Sequence, residues 1–108
     1  MASTKTYLQL VLEQLDALSE ISWRPMMGEF ILYYRGKVAG GIYDNRLLVK
    51  AVPAAVASLG NPTYALPYEG AREMLLVEEL ENREWLCGLF RAMEPQLPAP
   101  KKKKSETT

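Results

Sequence analysis

The sequence predicts an α+β fold, a two-layer sandwich in which helices cover one face of an antiparallel sheet of about five strands. Three observations predict it. Apolar residues recur at helical spacing near both ends, short strand-type runs joined by turn residues fill the middle, and a brief helical segment follows Pro53. Strands joined by tight turns are antiparallel, and helices remote from them in sequence can collect on one face. The expected order is α-β-β-β-β-α-β-α.

The first helix is expected to begin at a hydroxyl cap, Ser3 or Thr4, and to end near Ser19. Its apolar residues recur one, three and four positions apart and form one stripe. The stripe comprises Tyr7, Leu8, Val11, Leu12, Leu15 and Leu18. A strand-type run from Ile21 then leads into Pro25, which cannot donate to a ladder and therefore indicates a sheet edge or a break.

The central segment predicts a meander of antiparallel strands. The strongest strand is 29–35 (EFILYYR), which is rich in aromatic and β-branched residues and is followed by a Gly36-Lys37 turn. Its partner is 38–43, and Asp44-Asn45 forms a second turn because both residues tolerate a left-handed backbone. A further strand follows at 46–50 (RLLVK).

The second half supplies two helices and one more strand. Pro53 suits the first turn of a short helix that Gly60 closes. An ordered loop at 61–70, pinned by Tyr64, Leu66 and Tyr68, precedes a strand at 73–78. The last helix begins near Glu81 or Asn82 and ends at Pro95. Its stripe comprises Trp85, Leu86, Leu89, Phe90 and Met93.

The composition excludes several kinds of chemistry. The chain has no histidine and one cysteine, so a histidine-based triad, a Cys/His zinc site and an internal disulfide are excluded. Cys87 lies on the apolar side of the last helix and is expected to be a buried, inert thiol. Glu78, Glu79 and Glu81 are explained by the helix dipole without a metal. We expect no enzyme activity, no cofactor and no metal.

Two short motifs have structural explanations. Met26-Met27 is expected to fill gaps in the core, with an adaptable binding surface as the alternative. Gly40-Gly41 lacks the spacing of a phosphate loop and predicts a bulge or a close backbone approach.

Positive charge is concentrated in the C-terminal segment. We expect residues 1–95 to form the domain and 96–108 (QLPAPKKKKSETT) to be a disordered tail. Without that tail, which holds four lysines and one glutamate, the body carries 9 basic and 12 acidic residues. The run Lys101, Lys102, Lys103 and Lys104 is therefore the expected contact if the chain binds nucleic acid. A solvated tail that aids solubility is the plainer explanation.

One face of the predicted sheet has no cover. The strand EFILYYR places apolar side chains on both faces, and one layer of helices can bury only one of them. The other face would carry Ile31, Tyr33 and Tyr43, an apolar patch of the kind that often marks an interface. Half-buried tyrosines with their hydroxyls in water are the alternative.

Two segments resemble the N-terminal domain of the TfoX/Sxy family. They are Met26-Met27-Gly28-Glu29 with the strand after it, and 41–50 (GIYDNRLLVK). The matching positions are Arg24, Met27, Gly28, Leu32, Tyr33, Arg46, Leu47, Val49 and Lys50. Glu29 and Asn45 stand where the family usually has glycine. The resemblance implies this fold over residues 5–94, a single-domain member that lacks the family's C-terminal domain, and a bacterial role in transcription regulation and competence.

The sequence therefore favours a non-enzymatic, cytoplasmic protein-interaction domain of the TfoX N-terminal type. A protein partner or self-association is expected at Ile31, Tyr33 and Tyr43, and no membrane contact is expected because no apolar run approaches the length of a bilayer span. The alternative is a nucleic-acid-associated protein that uses its basic C-terminal tail.

Overall fold

The protein has an α+β fold in which helices pack on one face of a six-stranded antiparallel sheet, as a computed structural model describes it for residues 3–98. The helices within that range are α1 (Lys5–Gln14), α2 (Pro53–Leu59) and α3 (Arg83–Met93), followed by a 3-10 turn (Glu94–Gln96). The strands are β1 (Ile21–Met26), β2 (Glu29–Tyr34), β3 (Lys37–Ile42), β4 (Leu47–Val49), β5 (Tyr64–Ala65) and β6 (Met74–Val77). The spatial order is β1-β2-β3-β4-β6-β5. This confirms the predicted fold class.

Three two-residue turns connect the first four strands. Their central residues are Met27-Gly28, Arg35-Gly36 and Asp44-Asn45, and all six have positive φ. Turns of this type twist in the same sense as the strands they join, so they close tight hairpins. The turn after β2 lies one residue earlier than predicted, because Gly36 takes the second central position and Arg35 the first.

Gly40 lets β3 lie close to β4. A Cβ atom on Gly40 would collide with the carbonyl oxygen of Leu48, so only glycine fits there. The pairing of β2 with β3 also shifts register between Leu32 and Tyr33, opposite this glycine. Both parts of the prediction for the glycine pair, a bulge and a close backbone approach, are confirmed.

The main hydrophobic core lies between the sheet and the three helices. The sheet contributes alternate residues of its four longer inner strands, and each helix contributes its apolar stripe. The largest side chains that are fully buried there include Phe90, Leu8, Leu15, Leu32, Ile42, Leu47 and Leu86. The helices therefore cover one face of the sheet. We call the opposite face the reverse face.

The caps of the long helices follow the sequence closely. The Thr4 hydroxyl accepts a hydrogen bond from the Tyr7 amide (3.2 Å), and the Asn82 side chain accepts one from the Trp85 amide (3.1 Å). Helix α1 ends at Gln14, five residues before the predicted end, because the chain tightens into turns there. Leu18 stays buried although it lies outside the helix.

The packed chain extends past the predicted domain boundary at residue 95. Leu97 is 5% exposed and belongs to the main core, and the Gln96 side chain accepts a hydrogen bond from the Ala54 amide (2.8 Å). The Lys37 ammonium lies 2.9 Å from a carboxylate oxygen of Glu94. These contacts join the end of α3 to the start of α2 and to the β2–β3 turn.

Candidate protein-binding face

The reverse face of the sheet carries a second, smaller hydrophobic cluster. Tyr43, Leu48 and Met74 are buried there, and Met26, Ala65 and Leu76 pack against them. The register explains their grouping, because Gly41 pairs with Leu48 and Leu48 pairs with Leu76, so side chains at these positions project to the same side. Both faces of the sheet therefore hold buried apolar side chains.

A loop formed by residues 66–73 covers this cluster. Arg46 fastens the loop, since its guanidinium donates hydrogen bonds to the carbonyl oxygens of Tyr43 (3.1 Å) and Leu66 (3.2 Å). Within the loop, Pro67 is buried, and the ring centroid of Tyr68 lies 6.1 Å from the ring centroid of Tyr43. One half of the reverse face is thus covered by the chain itself.

The prediction of Tyr43 as an exposed contact residue is wrong. Tyr43 lies on the expected face, but its side chain is only 6% exposed because the loop with Tyr68 covers it. Burial raises the pKa of its hydroxyl above the usual range, with smaller contributions from Tyr68, Glu29 and Tyr33. Tyr43 supports the surface from below and does not form it.

The loop itself is held differently from the prediction. Tyr64, Leu66 and Tyr68 were expected to pin it, yet they are 48%, 46% and 56% exposed. The anchors are the buried ring of Pro67 and the guanidinium of Arg46, at the far end of the β3–β4 turn. Of the three predicted residues, Tyr68 contributes through the contact of its ring with Tyr43. The predicted loop at 61–70 also contains the two-residue strand β5, which pairs with β6.

The other half of the reverse face remains open. Ile31 and Tyr33 lie there, each partly exposed, in register with the exposed Arg24 and Ser22 of the edge strand β1. These two residues are therefore where the sequence predicted them. Pro25 also lies on this edge strand, as predicted, where its missing amide hydrogen costs no internal ladder bond.

A groove of about 670 Å³ separates the open half from the covering loop. Its apolar lining includes Met26, Ile31, Val38, Tyr43, Val52, Pro67 and Met74. Its charged lining residues are Lys50, Arg72 and Glu73, and neither cation lies within ion-pair distance of a carboxylate among residues 3–98. The groove combines an apolar floor with two cationic groups that have no acidic partner in the described chain.

Met27 departs from its predicted role. It was expected to fill a gap in the core with Met26, but it is 95% exposed at the tip of the β1–β2 hairpin, with φ of 52°. Only Met26 packs against the chain, on the reverse-face cluster. The turn geometry places residue 27 outside the sheet, and nothing in the hydropathy pattern distinguishes the two methionines.

Ser3 and Thr4 meet two hairpin turns at one end of the sheet. A Glu29 carboxylate oxygen accepts hydrogen bonds from the Ser3 hydroxyl and from the Asp44 amide. The Ser3 hydroxyl in turn accepts one from the Asn45 amide (2.9 Å), and the Asn45 side chain accepts one from the Thr4 amide (2.9 Å). Glu29 and Asn45 thus fasten residues 3 and 4 to two hairpin turns.

The structure places the cysteine in the core and three neighbouring glutamates at the surface. Cys87 is 2% exposed, and its thiol donates to the carbonyl oxygen of Gln14 (3.4 Å). Glu78, Glu79 and Glu81 are exposed ahead of α3. Between residues 3 and 98 there is no group of three or more side chains that could hold a metal ion. The run Lys101 to Lys104 lies outside the described residues.

The comparisons with known proteins find a relative over the length of the chain. No family model matches the chain, and no solved structure matches it. The chain is 32% identical over 108 residues to the uncharacterized 12.7 kDa protein in the trpE 5′ region of Spirochaeta aurantia, covering 99% of this chain and 94% of that protein. The chain belongs to the family of that protein. The name of this relative states no activity. We refer to the family of the two proteins as the 12.7 kDa family.

No helix in the part of the chain from 3 to 98 is both long enough and apolar enough to cross a bilayer.

Proposed function

We propose that this member of the 12.7 kDa family is a non-enzymatic interaction domain of the TfoX N-terminal type, which binds a protein partner in the bacterial cytoplasm. The observation that carries the proposal is the half-covered reverse face. Its own loop buries the Tyr43 cluster, while Ile31 and Tyr33 stay partly exposed beside an open groove. An exposed apolar patch next to a concave surface is typical of interaction sites.

Two further observations support this function. Apart from the two-residue strand β5, the order of elements is the one that we expected from the resemblance to the TfoX N-terminal domain, and the turns of those segments hold the sheet together at one end. Glu29 and Asn45 therefore have structural tasks, and we place the partner on the reverse face around Tyr33. A regulatory role in transcription is part of the same proposal.

Capture of the partner from the native cell tests the proposal. Tyr33→Lys places a charge in the middle of the open half and should abolish capture. Tyr64→Lys is the matched control, because Tyr64 is also an exposed strand tyrosine but pairs with Leu75, whose side chain faces the helices. Both variants should keep the thermal unfolding midpoint within a few degrees. Capture by Tyr33→Lys that equals that of the unaltered chain would contradict the proposal.

Nucleic-acid association is the second candidate, and the run of four lysines at 101–104 favours it. Binding by phosphate neutralisation weakens steeply with salt. Deleting 101–108 and measuring retention on DNA at two salt concentrations separates the candidates. Salt-sensitive retention that disappears with the tail would support this alternative, whereas retention without the tail would refute it.

A further inference from the structure

We infer that the groove on the reverse face binds an acidic segment of a partner protein, with an aliphatic or aromatic side chain between its carboxylates. The inference rests on the proposed function and names the class of partner that this surface accepts.

The shape and lining of the groove indicate a peptide segment. Its volume of about 670 Å³ is larger than one side chain needs and lies within the usual range of binding pockets, roughly 300–1,000 Å³. Met26, Ile31 and Val38 supply aliphatic and thioether surface along the side next to the open half, and Met74 continues it under the loop. Such a floor favours a leucine, isoleucine or phenylalanine side chain over a polar one.

The charges of the groove select for carboxylates. Lys50 and Arg72 line it, and Glu73 is the single acidic residue among its described lining, so the groove carries a net positive charge. The body as a whole has the opposite sign, with 9 basic and 12 acidic residues before the tail. Guanidinium and ammonium groups form charge-assisted hydrogen bonds with carboxylates, which give selectivity and fast association.

The same observations disfavour a nucleic acid in the groove. Base stacking needs accessible aromatic faces, and of the two aromatic residues in the described lining Tyr43 is only 6% exposed, which leaves Tyr68 alone as a stacking surface. Glu73 lies in the groove and would repel a phosphate backbone. A peptide with two or three carboxylates can place them against Lys50 and Arg72 and keep clear of Glu73.

Selection from a displayed library of random 12-residue peptides tests the inference with the full chain. Enriched peptides should carry Asp or Glu on both sides of Leu, Ile or Phe. For a selected peptide labelled with fluorescein, the double variant K50E/R72E should weaken binding about tenfold or more by anisotropy. Repeating the selection on K50E/R72E should enrich Lys and Arg in place of the acids. The control K5E/R91E changes the net charge equally on α1 and α3 and should leave affinity and selection unchanged.

Several outcomes would overturn the inference. Enrichment of basic or uncharged peptides would show that the groove does not bind carboxylates. Acidic peptides that bind K50E/R72E with the same affinity as the unaltered chain would show the same. Absence of any enriched peptide would have the same meaning. If capture of the native partner still depends on Tyr33 in these cases, the proposed function stands while this partner class falls.

Two other occupants are separate outcomes. Binding of a single-stranded dT12 oligonucleotide that K50E/R72E abolishes would assign the groove to nucleic acid. Self-association by sedimentation that K50E/R72E abolishes would assign it to a second copy of the chain. Either result overturns the inference. Near-ultraviolet circular dichroism checks whether K50E/R72E keeps the native fold. If its spectrum differs from that of the unaltered chain, the single variants R72E and K50E replace it in the binding measurements.

Discussion

The ring of Tyr43 lies against the bare backbone of Gly41. A Cβ atom at position 41 would come within 2.6 Å of Cε2 of Tyr43 and within 2.7 Å of the Phe30 carbonyl oxygen. The missing side chain therefore gives the ring room to lie flat on β3, where Tyr68 covers it. This contact lies in the half of the reverse face that the loop at 66–73 covers.

Replacing Gly41 with alanine should destabilise the protein by about 1–3 kcal/mol, because the ring and the Phe30 carbonyl must both move. The matched control is Gly88→Ala in α3, where an added Cβ meets nothing within 4 Å. That change should stabilise the protein by roughly 0.5–1 kcal/mol, since alanine favours helix. Urea unfolding of the two variants measures both effects, and equal effects would contradict the close packing of Tyr43 on Gly41.

Replacing Arg46 with methionine should loosen the loop at 66–73 and cost about 1 kcal/mol of stability, because the bonds to the Tyr43 and Leu66 carbonyls disappear. Hydrogen exchange should speed up in the loop more than in the strands beneath it. Arg91→Met is the control, since Arg91 is exposed on α3. Unchanged exchange in the loop of Arg46→Met would mean that Pro67 and Tyr68 alone hold it.

Replacing Glu29 with alanine should release the N-terminus and lower stability by about 1–2 kcal/mol, because the Ser3 hydroxyl and the Asp44 amide lose a shared acceptor. Glu29→Gln keeps an acceptor oxygen without the charge, so its cost should be smaller. Urea unfolding compares the two variants. A Gln variant as unstable as the Ala variant would show that the charge, and not the geometry, matters.

The Lys37–Glu94 pair should make stability depend on pH. The hydrogen bond from Lys37 lowers the pKa of the Glu94 carboxyl below its usual range. Because this pKa is lowered in the folded state, the pair stabilises the protein at pH values above the ordinary pKa of glutamate. The contribution is lost as the pH falls through the lowered pKa.

The variant Lys37→Met tests that dependence. Its loss of stability relative to the unaltered chain should be larger at pH 7 than at a pH below the titration of Glu94. Lys5→Met serves as the control, since Lys5 has no ion pair among residues 3–98, and its effect should be the same at both pH values. A Lys37→Met effect that does not change with pH would contradict the pair's role.

Local sequence patterns predicted the elements because they reflect short-range physics. The Thr4 cap, the Asp44-Asn45 turn and Pro53 at the start of α2 each depend on residues within one turn of one another. The end of α1 was less accurate, because Leu15 and Leu18 continue the apolar stripe in a segment that is no longer helical. A buried apolar residue can lie in a helix or in a turn, so burial alone does not distinguish the two conformations.

The covered half of the reverse face could not be predicted from such patterns. It depends on the guanidinium of Arg46 reaching Leu66, twenty residues away, and on a ring contact between Tyr43 and Tyr68. In sequence, Tyr43 and Tyr33 look alike as strand tyrosines. Only the path of the loop determines that one is buried and the other partly exposed.

Photo-cross-linking in the native cell tests most directly whether the open half is the contact surface. p-Benzoylphenylalanine at position 33 should cross-link to the partner, and the same group at position 64, on the opposite face, should not. Cross-links from position 64 with none from position 33 would contradict the account.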